Sequence, residues 1–321
     1  MSPEIFAGVG QPVEQSPERT IYAINCQPAD GEPHDLAGGV MQCYHLFPGI
    51  DLAYTQFRAG RCRMRERAFS DVLEIAYCQA GRFECEYKHG FVTFLGEGDF
   101  AVSVLSPEQQ PPSFPLGTYD GVTLIVDRAL TGPCSRGIVE GVSIDWRVLA
   151  KKFCSDTCCS VARAPAGLRH VFEEIWAVRA QPQPGYLRLK ALECFFLLGD
   201  WLPAELSAAK YYSRSQIVKV KQLAEALTCN LDRHPPLAVL AAQYGMSLTA
   251  LKDCFKAVYG KPIATFQREY RMQVAARWLV ETELSVAEIA GRLGYENPNK
   301  FSSAFKRVIG ETPSAYRRAR R

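Results

Sequence analysis

Residues 285–318 read SVAEIAGRLGYENPNKFSSAFKRVIGETPSAYRR, and the stretch carries its own punctuation. Ser285 is a good helix N-cap, and Glu288 three residues later completes a capping box. Val286, Ile289, Ala290 and Leu293 then fall on one helical face. Gly294 supplies a left-handed stop. Asn297 caps the next helix, with Pro298 at its first position, where a missing N–H costs nothing. Phe301, Ala304, Phe305 and Val308 make the apolar stripe of that second helix, and Gly310 ends it. Its opposite face carries Asn299, Lys300, Ser303, Lys306 and Arg307.

One such unit could be an ordinary helical hairpin in an all-α core. The pattern, however, occurs twice. Leu237, Leu240, Ala241 and Tyr244 lie 49 positions before Val286, Ile289, Ala290 and Leu293. Leu251, Cys254, Phe255 and Val258 lie 50 positions before Phe301, Ala304, Phe305 and Val308. The change of offset falls in the turn, where an insertion is tolerated most easily. Gly245 and Gly260 repeat Gly294 and Gly310, and Ser247 repeats Asn297 as the cap. Packing alone does not explain two copies of one capped hairpin. A short helix, a turn and a second helix with a polar, cationic face is the layout of a groove-reading helix-turn-helix.

Paired units ending in GYENPNKFSSAFKRVIGETPSAYRR resemble the AraC/XylS transcription regulators. The resemblance covers residues 219–318. It includes the small residue inside the first helix, the Phe-Lys pair in each recognition helix, and Gly-x-x-Pro-x-x-Tyr ending at Tyr316. It implies a sequence-specific DNA-binding domain whose hairpins are joined by one long helix, here Pro262 to Glu281. About 20 residues at 1.5 Å each span ~30 Å, and one turn of B-DNA is ~34 Å. Both recognition helices can therefore enter successive major grooves. Placed on the family pattern, the base-reading positions are Thr249, Lys252 and Asp253 in the first unit and Asn299, Lys300 and Ser303 in the second. Lys can contact guanine, Asn can pair bidentately with adenine, and Asp can accept from cytosine N4. Asp253 departs from relatives that carry a basic or amide residue there. Lys256, Lys306, Arg307 and Arg317 are assigned to phosphates, which position without specifying sequence; otherwise each is a solvated surface charge.

The chain has 321 residues with a net charge of +3, and 47% of it is apolar. That suits about two soluble globular domains. Charge is uneven: residues 216–321 hold 17 Lys+Arg against 9 Asp+Glu, leaving residues 1–215 net acidic. A basic C-terminal third fits a nucleic-acid partner at that end alone. No apolar run reaches the ~18 residues that span a bilayer, and MSPEIFAGVGQPVEQSPERT lacks the pattern of an export signal. A cytoplasmic protein is expected. The 12 cysteines are then expected as thiols, mostly small buried hydrophobes. Cys154, Cys158 and Cys159 form the tight cluster, with no second pair to complete a zinc site.

Residues 1–40, rich in Pro, Gly and acidic side chains, are expected to form a loosely held arm. From Met41 the period changes to two. DLAYTQF, VLEIAYC, RFECEYK, FVTFL and FAVSVL read as strands, separated by turns at Gln79-Ala80-Gly81, Lys88-His89-Gly90 and Gly96-Glu97-Gly98-Asp99. Alternation of Phe83, Cys85 and Tyr87 with Glu84, Glu86 and Lys88 predicts one buried and one wet face. Such strands suggest a small barrel or jelly roll over 41–160. GEGDF resembles the turn of cupin barrels, and sensor domains in the AraC family are often cupin-like. With five histidines and no His-x-His, the metal-binding form of that barrel is not expected. Neither a metal nor another cofactor is predicted. Tyr54, Tyr77, Phe83 and Tyr87 could line an effector pocket or be plain core.

Helical spacing returns in LRHVFEEIWAV and YLRLKALECFFLLGDWL, giving a coupling segment over 161–205. Leu187, Leu189, Leu192, Phe195, Phe196, Leu198 and Trp201 make a broad apolar face, for the barrel or for a second copy of the chain. A linker at 206–215 leads to the DNA-binding domain at 216–321. The expected fold is therefore α+β and multidomain: a cupin-like β-barrel sensor, coupling helices and an all-α double helix-turn-helix. The implied partners are operator or promoter DNA, a small-molecule effector, a second copy of the chain and RNA polymerase, without a membrane. A DNA-targeted repair or modifying enzyme using the Cys154–Cys159 cluster is the rival reading, and an effector-independent architectural DNA binder a third.

Overall fold

The computed structural model describes residues 10–27, 37–62, 71–86, 91–105, 112–132, 144–154, 159–201, 210–232 and 235–320. The chain divides into two compact units, Met1–Tyr212 and Ser213–Arg321.

The first unit is built on antiparallel strands: β1 (Gln11–Gln15), β2 (Arg19–Ile24), β3 (Cys26–Gln27), β4 (Gly38–Phe47), β5 (Ile50–Arg58), β6 (Arg61–Cys62), β7 (Val72–Glu86), β8 (Phe91–Gly96), β9 (Asp99–Val104), β10 (Thr118–Asp127) and β11 (Cys159–Arg163). The main sheet runs β1-β2-β4-β5-β10-β7. The first half of β7 also pairs with β9 and its second half with β8, while β9 carries β11. Two hydrophobic cores result, because alternate residues of each strand point to opposite faces. Leu73, Ile75 and Tyr77 join one core, and Val72 and Cys78 the other.

Several expectations need correction. The stretch read as a loose arm holds β1 and β2, which pair with each other, and β2 extends the sheet at β4. Tyr22 and Ile24 are buried there, so alternation was present under the Pro/Gly composition. The turn expected at Gln79-Ala80-Gly81 is a bulge inside one continuous β7: Ala80 pairs with Asp120 and Cys78 with Gly121, leaving Gln79 without a cross-strand partner. Gly81 takes φ +83, and a Cβ there would lie 2.2 Å from the Thr118 carbonyl oxygen. Glu84, expected on the wet face, is buried, because the segment at Ser113 lies along it and takes its N–H at 2.8 Å. Tyr87, His89 and the Lys88-His89-Gly90 turn lie outside the described residues. Among the described strands no pairing closes the sheet into a barrel. Not all cysteines are thiols either: Cys26 and Cys62 face each other across the β3–β6 ladder and form a disulfide.

Helices α1 (Arg128–Thr131), α2 (Trp146–Cys154), α3 (Ala166–Ala177) and α4 (Pro184–Asp200) follow or flank the last strands. Helix α2, inside the stretch read as barrel, buries Trp146, Leu149 and Phe153 in the same core as α3 and α4. On α4 the apolar face is narrower than expected. Leu187, Ala191, Cys194, Phe195 and Leu198 are buried, whereas Leu189 is 67% and Phe196 47% exposed. Lys190 bridges Glu174 on α3 and Glu193 on α4, which ties the helix pair at the surface.

The second unit is all-helical: α5 (Arg214–Cys229), α6 (Leu237–Gln243), α7 (Leu248–Tyr259), α8 (Ile263–Glu281), α9 (Val286–Arg292), α10 (Pro298–Ile309) and α11 (Pro313–Arg320). Ser213 and Gln216 form the capping box of α5, so residues 213–215, expected as linker, already belong to this unit. Helix α8 supplies Met272, Ala275, Ala276 and Leu279 to the core that also holds Ile289, Ala290, Leu293, Phe301 and Phe305. Among the described residues, no helix is long and apolar enough to cross a membrane.

Candidate nucleic-acid interface

The two hairpins α6–α7 and α9–α10 share one backbone design. In the first turn Met246 N–H donates to the Ala241 carbonyl at 2.9 Å, and in the second Tyr295 N–H donates to Ala290 at 2.9 Å. Gly245 (φ +59) and Gly294 (φ +76) occupy the left-handed turn position that other residues resist. Ser247 Oγ accepts from Ala250 N–H at the start of α7, and Asn297 Oδ1 from Asn299 N–H at the start of α10. Both second helices end on a left-handed glycine whose N–H returns to a lysine carbonyl, Gly260 to Lys256 and Gly310 to Lys306. The repeat is imperfect at its start: Ser285 and Glu288 close a capping box on α9, whereas Pro236 precedes α6 with no side-chain cap.

Residues 240–319 match the helix-turn-helix domain family. The chain is 34% identical over 103 residues to the HTH-type transcriptional activator RhaR of Mannheimia succiniciproducens, covering 32% of this chain and 37% of that protein. It is 38% identical over 100 residues to a putative AraC-like transcription regulator of Streptomyces lividans, covering 30% and 33%. The C-terminal unit is an AraC-type helix-turn-helix domain. The chain spans only about a third of the length of these curated relatives. Among solved structures, the DNA-binding domain of AdpA in complex with a target DNA aligns with 32% of this chain and 91% of that one, at 31% identity and a TM-score of 0.30.

In this AraC-type domain, Thr249 and Lys252 on α7 and Asn299, Lys300 and Ser303 on α10 are exposed, and Asp253 is half-buried. Buried Leu251, Phe255, Phe301 and Phe305 fix the opposite side of each helix, so the polar side is held outward. Lys256, Lys306 and Arg307 are exposed as well. Arg317 is engaged within the domain instead. Its guanidinium donates to the carbonyls of Leu279 (3.0 Å from Nε) and Leu284, pinning α11 to the end of α8. The side chain is otherwise half-exposed. Lys261 and Arg320 are also paired, with Glu269 and Glu311.

Two residues were not singled out by sequence reasoning. Leu248, at the first position of α7, is 37% exposed beside Thr249, where an apolar side chain can meet a thymine methyl. Arg271 is buried in α8 next to Tyr295, in the turn of the second hairpin. Burial lowers its pKa, and contact with Tyr295 opposes that shift. An arginine at helical spacing reads as surface, so only tertiary packing reveals this role.

The candidates in the first unit separate. Tyr54 and Tyr77 lie on the helix-side face: Tyr54 donates to the Ile175 carbonyl at 2.9 Å, and Tyr77 stacks on Phe172 at 4.9 Å. Phe83 packs on the other face against Phe114 and Tyr119. These three do not share a pocket. Cys154, on the helix side, donates to Val102 O, whereas Cys159 is buried in the opposite core, and Cys158 lies outside the described residues. Cys154 and Cys159 therefore make no joint reactive centre, and the enzyme alternative finds no support.

Proposed function

We propose that the chain is a DNA-binding transcription regulator in which α7 and α10 read successive major grooves and the N-terminal unit, built on a cupin-like plan, senses a small molecule. The observation that carries the reading is the repeated capped hairpin, each copy presenting exposed polar side chains at the start of its second helix. N-terminal residues of a recognition helix are those that reach base edges. The 19 residues of α8 give a spacer of ~28 Å, close to one helical turn of DNA. The names of the relatives support the same reading. The exposed pair Leu189 and Phe196, one heptad apart on α4, supports contact with a second copy of the chain.

The test separates base readers from phosphate binders. Asn299→Ala or Lys300→Ala is expected to cost about 1–3 kcal/mol on a selected operator and to relax preference at one or two base pairs. Lys306→Ala is expected to weaken operator and scrambled duplex alike and to reduce the salt slope by about one. Titrations of each variant at several salt concentrations measure both. An unchanged operator-to-scrambled ratio in Asn299→Ala and Lys300→Ala would remove α10 from base reading.

A further inference from the structure

Helix α8 carries a charge into the core of the second hairpin. Among the described residues of the second unit, Arg271 alone is a buried charged side chain, at 4% exposure. Met272 and Ala275 near it are fully buried in the core shared with α9 and α10. Its guanidinium donates a hydrogen bond to Tyr295, which offsets part of the pKa lowering that burial causes. Tyr295 sits in the turn of the hairpin. Its N–H donates to the Ala290 carbonyl of α9 at 2.9 Å, and its ring meets Phe301 of α10 edge-on at 5.6 Å. Two residues on, Asn297 caps α10 through Asn299 N–H. Arg271 therefore holds, from outside the hairpin, the residue that touches both of its helices.

The first hairpin repeats the arrangement in a weaker form. Lys219 on α5 places Nζ 3.5 Å from the carbonyl of Gly245, in the turn between α6 and α7. The helix that precedes each hairpin thus sends a cation to its turn. At the first turn that cation is half-exposed, and at the second it is buried. Contacts of a solvated cation contribute little, whereas a hydrogen bond from a buried charge is strong and directional.

Stability does not account for Arg271, because an apolar side chain of similar volume in place of a buried charge is often neutral or stabilising. Position does. The ring of Tyr295 on Phe301 is largely an apolar contact, and hydrophobic attraction has no direction. A hydrogen bond from α8 to the tyrosine sets the turn in one place, and recognition side chains must be held within about 0.5 Å of their productive geometry. We infer that Arg271 is a positioning residue for base reading: through Tyr295 it fixes the approach of α10, so that Asn299 and Lys300 meet base edges in one register. The inference rests on the reading of α10 as a recognition helix and adds a residue that acts without touching DNA.

The test uses the full chain and an operator that it selects from random duplexes, with a scrambled duplex of the same composition as reference. Arg271→Met removes the charge and fills the space, Tyr295→Phe removes the hydroxyl alone, and a third variant carries both. Arg271→Met is expected to lower operator affinity about tenfold, the worth of one well-aligned base contact. Its affinity for scrambled duplex, salt slope and melting temperature are expected to stay unchanged. A merely structural role would move the melting temperature and leave the operator-to-scrambled ratio alone. Tyr295→Phe is expected to lower that ratio by the same factor, and the double variant by no more than either single one, because both changes break one interaction. Titrations are run well below each melting temperature, and Tyr295→Phe decides the matter should Arg271→Met not fold. An unchanged ratio in either folded variant, or losses that multiply in the double variant, overturns the inference. A wild-type chain that prefers its operator, with variants that prefer it equally, refutes the positioning role alone. A wild-type chain with no preference refutes base reading by the domain, and the positioning role with it.

Discussion

Replacing Phe305 with alanine is expected to lower the stability of the C-terminal unit by about 3–5 kcal/mol. The ring is fully buried, tilted against Phe301 (5.9 Å) and edge-on to Tyr316 (5.6 Å), in a core shared by α8, α9 and α10. Truncation removes transfer energy and leaves a cavity among elements that are already capped and cannot slide inward freely. Phe255 holds the same place in the first hairpin, against Tyr259 and Phe266. Urea denaturation of a fragment beginning at Ser213 reads the effect, since two units in one chain do not guarantee a two-state transition. Lys300→Ala, on the opposite side of α10, should change stability by less than about 0.5 kcal/mol. A loss below about 1 kcal/mol for Phe305→Ala would mean that the hairpin is not packed as described.

Reducing the Cys26–Cys62 bond is expected to cost about 3–4 kcal/mol. The two cysteines are 36 residues apart and oppose each other across β3 and β6. Closing a loop of that length restricts the unfolded chain far more than the folded one. Cys62 is fully buried and Cys26 adjoins the inner core of the sheet, so reduction also leaves two thiols in a packed site. Melting curves with and without reductant, and of Cys26→Ser under oxidising conditions, measure the difference. Identical melting temperatures would show that the bond is not formed in solution. Because a reducing compartment keeps thiols apart, the full stability is expected only in oxidising buffer.

Legibility in the sequence followed the range of the forces involved. The hairpins were readable because their signals are local: Ser285 and Glu288, Gly294, Asn297 and Gly310 all act within a few residues of their own position. The strands VLEIAYC, FVTFL and FAVSVL were readable from alternation. Bulge and turn look alike in Gln79-Ala80-Gly81, since both need a glycine at positive φ, and only pairing with β10 decides. Arg317 and Arg271 read as surface cations because their partners, the Leu279 carbonyl and Tyr295, are distant in sequence. The burial of Asp51 was hidden for the same reason: DLAYTQF shows a polar first residue at a strand start, and burial of that carboxylate is set by the sheet around it. On α4 the stripe was broader in sequence than in the structure, because hydrophobicity alone does not say which of Leu187 and Leu189 meets the sheet.

The most direct measurement is the affinity of the fragment Ser213–Arg321 for duplex DNA across a salt series. Of the residues assigned to phosphates, Lys256, Lys306 and Arg307 are exposed, and three such contacts give a log–log slope of about −2.7. The expected result is a soluble, helical fragment that binds DNA unaided, tightest at low salt and with that slope. A soluble, helical fragment with no DNA affinity at low salt would contradict the assignment of DNA binding to this unit.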